Sequence, residues 1–162
     1  MNPIHRKITQ NSRAITAEAI RKLPQDQVAT IFKKLGPAKV EELQHDWLFW
    51  ARDEQLEPLG KDWNVWLINA GRGFGKTRAG VEWVREQVKH GRKRIAAIAA
   101  TNSDIERVMV KGESGFLNLC WKGDKTYAGK PMGFPDWSPT KRSLTWENGA
   151  QVQFFSAEEP ER

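Results

Sequence analysis

The feature that most constrains this chain is the stretch Ala70-Gly71-Arg72-Gly73-Phe74-Gly75-Lys76-Thr77. Three alternating glycines permit backbone angles that side chains resist, and they place successive N–H groups around one point. Val65-Trp66-Leu67-Ile68 before it is a β-prone run. From Lys76 onward Val81, Val84 and Val88 recur on one helical face, and Gly91 supplies a stop. Ile95 to Ala100 is an unbroken run of small apolar residues, which predicts a strand covered on both faces. Strand, loop, helix and strand at this spacing predict a βαβ unit with a right-handed crossover.

In that setting the loop reads as a phosphate-binding Walker A sequence, with Ala70 in place of the usual first glycine. The glycine N–H groups and the positive helix start face the same anion. Lys76 has the length to reach β- and γ-phosphates, and the Thr77 hydroxyl suits Mg²⁺. This predicts ATP with Mg²⁺ as the ligand. A dinucleotide fits poorly, because Lys76 stands where a third glycine would be and no acid ends the next strand. Hydrolysis needs carboxylates as well. The one segment able to supply them, Val152 to Glu159, alternates apolar with polar residues after a hairpin turn. It therefore reads as an exposed antiparallel strand, with Glu158 and Glu159 as weak candidates.

The remaining chain divides at about residue 58. Residues 1–58 predict a helical appendage of three short helices. Their apolar stripes are Ile15/Ala19/Ile20/Leu23, Val28/Ile31/Phe32/Leu35 and Val40/Leu43/Trp47/Trp50, with Gly36-Pro37 as a stop. Residues 59–162 predict the α/β part. There Ser103 and Glu106 suggest a capping box, residues 127–139 a long loop, and Asn148-Gly149 a β-hairpin turn.

No apolar run reaches the roughly 20 residues needed to span a bilayer, so no membrane partner is expected. The net charge of +6, with clusters at Arg6/Lys7/Arg13 and Arg92/Lys93/Arg94, suits a polyanion such as nucleic acid. One cysteine, Cys120, leaves no internal disulfide or multi-cysteine zinc site. The eight tryptophans read as core or interface anchors.

Taken in order, these residues resemble the large terminase subunits of tailed bacteriophages. The likeness runs through Trp50-Ala51-Arg52, Gln55, Asp62-Trp63, the loop with its continuation Arg78 to Val84, and Met109 to Gly115. It continues through Leu144-Thr145-Trp146 and Ser156 to Arg162. The resemblance implies an additional-strand P-loop NTPase core, here incomplete, and an ATP-driven motor for viral DNA packaging in the cytoplasm of an infected bacterium. It implies double-stranded DNA, a portal protein, a small terminase subunit and a homo-oligomeric ring as partners. It also makes Gln55 an adenine contact and Arg72 a catalytic contact to the γ-phosphate. The Walker B acids and nuclease domain of that family have no counterpart in the sequence, which leaves hydrolysis open. A non-enzymatic binding remnant and a helicase-like translocase are the alternatives.

Overall fold

The computed structural model describes residues 16–158 apart from 59 and 61. Arg6, Lys7, Arg13, Ile15 and Glu159 lie outside the described residues. The chain forms two compact units, Met1–Asn69 and Ala70–Arg162.

The first unit is helical. Helix α1 (Ala17–Arg21) is capped by Thr16, whose hydroxyl accepts from the Ala19 N–H. Helix α2 (Gln25–Leu35) stops at Gly36, whose φ of 77° is left-handed, and Pro37 opens α3 (Pro37–Gln44). The third predicted helix is two. Asp46 accepts from the Leu48 N–H at 2.9 Å and so caps a separate turn, α4 (Trp47–Trp50). The Asp side chain competes for the backbone donor and interrupts the stripe. A 3₁₀ turn follows at Asp53–Gln55.

The expected strand over Val65-Trp66-Leu67-Ile68 does not form. Val65 and Leu67 remain 82% and 81% exposed. β-propensity alone does not hold a strand without a neighbour to pair with.

In the second unit, helix α5 (Lys76–Lys89) ends at His90, with Gly91 left-handed at φ 87° behind it. Strand β1 (Arg94–Ala99) comes next, then a single turn α6 (Asn102–Asp104) that runs into a π-helical stretch Ile105–Val110. The cap of α6 is Thr101, not Ser103: its Oγ accepts from the Asp104 N–H at 3.0 Å. Helix α7 (Phe116–Leu119) leads to β2 (Asp136–Ser138), β3 (Ser143–Thr145) and β4 (Gln151–Ser156). Thus the last part of the expected long loop is a short strand.

The sheet is mixed and four-stranded, in the order β1-β4-β3-β2. β3 and β4 form the expected hairpin across Asn148-Gly149, with Gly149 at φ 79°. β4 is not an exposed strand, however. It lies centrally, parallel to β1 and antiparallel to β3, with Val152 and Phe154 fully buried. Its alternation records one covered face. Val81, Val84, Val88, Ile105, Val110 and Phe116 pack on that face, each such side chain contributing about 1.5–3 kcal/mol by burial. On the other face Ile98 and Phe155 sit side by side and exposed, so β1 is covered on one side only.

Candidate phosphate-binding loop

The loop and the first turn of α5 belong to one unit and are built from local rules. Gly73 has φ 79°, and Gly75, the residue before α5, has φ 90° and ψ 28°. A side chain at either position would be strained. The left-handed Gly75 turns the chain directly into the helix, whose first N–H groups lack an intrahelical acceptor. Lys76 folds back over the loop: its Nζ donates to Ala70 O at 2.6 Å and to Gly71 O at 2.9 Å. The ammonium is thereby tied to the carbonyls at the start of the loop. Arg72 is exposed at the loop tip, Phe74 and Thr77 are half-buried, and Gly71 is open to solvent.

Gln55 belongs to the other unit. It is buried, and its Oε1 accepts from the Arg52 N–H at 3.0 Å, closing its own 3₁₀ turn.

Deeper along α5 a buried charged stripe anchors the helix that carries the loop. Arg85 is 1% exposed. It donates from Nη1 to Glu82 Oε2 at 2.6 Å and from Nη2 and Nε to Asp124 Oδ2 at 2.6 and 3.2 Å. Lys89 Nζ lies 3.4 Å from Asp124 Oδ1, and Arg78 Nε lies 4.0 Å from Glu82 Oε1. Burial works against the charge on Arg85, but Glu82 and Asp124 outweigh it and hold the guanidinium protonated. Burial raises the Glu82 pKa despite its arginine partners. Burial also pushes the neighbouring Cys120 thiol up to about 12, so it is no nucleophile.

At the C-terminal end of α5, Tyr127 donates its N–H to Lys89 O at 3.0 Å and its hydroxyl to Glu86, and its ring stacks on His90. Burial opposes the charge on Glu86, and the bonds from His90 and Tyr127 more than offset it, lowering the pKa.

At the other end of the sheet, Glu158 is exposed just beyond β4, its N–H donating to Ser156 Oγ at 3.2 Å. Among the described residues no group of three His, Cys, Asp or Glu is arranged to hold a metal. A cation here would depend on Thr77, phosphate oxygens and water, a set that suits Mg²⁺.

The sequence reading missed Arg85 and Asp124. One signal for Arg85 was present: with Val81, Val84 and Val88 it completes an i, i+3, i+4, i+7 face, so a charge sits in a core position. No helix among the described residues is long and apolar enough to cross a membrane. No protein-family model, curated protein or solved structure matches this chain.

Proposed function

We propose that residues 70–77 form a P-loop for ATP–Mg²⁺, in the ATPase part of a motor of the phage terminase type. The observation that carries this reading is the pose of Lys76, tied to the Ala70 and Gly71 carbonyls across a loop whose Gly73 and Gly75 are left-handed and which opens a 14-residue helix. In it the N–H groups of the loop cradle the phosphates, Lys76 leaves its carbonyl contacts for the β- and γ-phosphates, and the Thr77 hydroxyl holds Mg²⁺. Bound ATP supplies the phosphoanhydride whose cleavage drives such motors. Arg72, exposed at the tip, serves the γ-phosphate.

Titration calorimetry with ATP and Mg²⁺ is the test. Lys76→Ala removes an exposed side chain and no core contact, so the fold should persist while affinity falls by about tenfold or more. Unchanged affinity in that variant would sink the P-loop reading.

The same reading carries double-stranded DNA, a portal protein, a small terminase subunit and a ring of copies as partners. Arg92, Lys93 and Arg94 are all exposed, which supports contact with a phosphate backbone. Binding to a random duplex should then be sequence-independent and weaken steeply with salt, by about 0.9 log unit per log of salt for each phosphate neutralised. Equal affinity at low and physiological salt in a fluorescence titration would reject the electrostatic contact.

A further inference from the structure

Arg142 is the single non-glycine residue among those described whose backbone is left-handed, with φ 48°. It ends the four-residue connection from β2 to β3, a hairpin position where glycine is the comfortable choice. Side chains other than glycine, asparagine and aspartate rarely stay there, because Cβ crowds the following carbonyl. Its backbone is nevertheless pinned on both sides. The Arg142 N–H donates to Pro139 O at 3.2 Å, and its carbonyl accepts from the Phe154 N–H at 2.9 Å and from Gln153 Nε2 at 3.1 Å. An arginine kept in a glycine position, at a cost in strain, calls for a role for its side chain.

That side chain reaches across the sheet end. Nη1 donates to Asn102 Oδ1 at 2.8 Å, in the turn that follows β1. A guanidinium has five N–H donors, so this bond leaves most of its capacity unused.

The topology says which end of the unit this is. Helix α5 is about 21 Å long and β1 about 20 Å, and a tight turn at Gly91 joins the end of one to the start of the other. A strand that returns along the helix over a similar length ends toward Lys76 and Thr77, as in a right-handed βαβ arrangement. The π-helical stretch that continues from Asn102 packs against α5. Ser143 pairs with Gln153 in the middle of β4, which is parallel to β1, and Arg142 precedes Ser143 on the side toward the strand ends, where its guanidinium meets Asn102. Open α/β sheets bind their ligands at this end of their strands.

We propose that Arg142 is a contact for the terminal phosphate of the nucleotide, parked on Asn102 and drawn to the γ-phosphate when ATP enters the loop. The inference rests on the P-loop reading and adds to it a cation from the β2–β3 hairpin. Arg142 thus joins Lys76 and Arg72 in favouring a triphosphate over a diphosphate.

The test compares Arg142→Gly, Arg142→Lys and Lys76→Ala by calorimetry with ATP–Mg²⁺ and ADP–Mg²⁺, alongside thermal unfolding. Arg142→Gly relieves the left-handed strain while deleting the guanidinium. It should keep or raise Tm, lose about tenfold in ATP affinity, and leave ADP affinity within twofold. Arg142→Lys should recover part of the ATP affinity, because the charge returns without the fork. A lowered Tm with equal effects on ATP and ADP would make Arg142 a structural tie and overturn the proposal. Wild-type ATP affinity in Arg142→Gly, with Lys76→Ala impaired, overturns it while the P-loop stands. A wild-type chain that binds neither nucleotide overturns both.

Discussion

Asp124→Ala is expected to destabilise the Ala70–Arg162 unit by about 3–5 kcal/mol, because it leaves a buried guanidinium without one of its two counter-charges. Arg85 is 2% exposed at its side chain and spends two of its N–H groups on Asp124, so water cannot easily replace the lost partner. A shift in the urea midpoint with an unchanged slope would report it. The expected sign reverses when the whole set is exchanged. Glu82, Arg85 and Asp124 replaced together by apolar residues of similar volume should be near neutral, since none of the three charges is then stranded. A loss under about 1 kcal/mol for Asp124→Ala would mean that solvent reaches Arg85 after all. Such a change would also be felt at the loop, because the stripe from Arg78 to Lys89 runs along the helix that Gly75 opens.

The 162-residue chain is expected to bind ATP–Mg²⁺ and to release phosphate no faster than the uncatalysed background. Phosphoryl transfer to water depends on positioning, with an acid near Mg²⁺ and a group orienting the attacking water. Among the described residues no group of three His, Cys, Asp or Glu is arranged to hold a metal, and Thr77 supplies no carboxylate. One acid needs a direct check. Because β4 is central and parallel to β1, Glu158 lies at the same strand end as the loop, a better placement than an exposed antiparallel strand would give it. A steady-state phosphate-release assay on monodisperse protein decides the matter. Turnover that disappears in Glu158→Gln would identify that carboxylate as the missing group and refute the expectation.

Local rules carried the parts of this fold that are local. Helix α5 with its two flanking glycines, the Asn148-Gly149 hairpin and the Gly36-Pro37 stop all follow from backbone preferences within a few residues. What depended on neighbours was not legible. Val65 to Ile68 has strand composition but nothing to pair with. β4 has an alternating pattern that an edge strand and a central strand covered on one face share equally. The α6 cap went to Thr101 because two hydroxyl residues two positions apart offer the same chemistry, and the chain geometry chose between them. The same division holds at the site. The loop residues announce themselves by sequence, whereas Arg142 with Asn102 and Arg85 with Asp124 join positions too far apart for any spacing rule to link.

β4 has one neighbour close in sequence and one far away. Gln151 pairs with Thr145 across the tight turn and with Arg94 from the other end of the unit. Closing the longer loop costs roughly 2 kcal/mol more in chain entropy than closing the shorter, and hairpins form within microseconds. The order of assembly follows from that difference. The β3–β4 hairpin is expected to form first and to offer its open side as a template, with β1 pairing later. The β1–β4 pairing, which joins the two halves of the unit, is therefore expected to be the last part of the sheet to close.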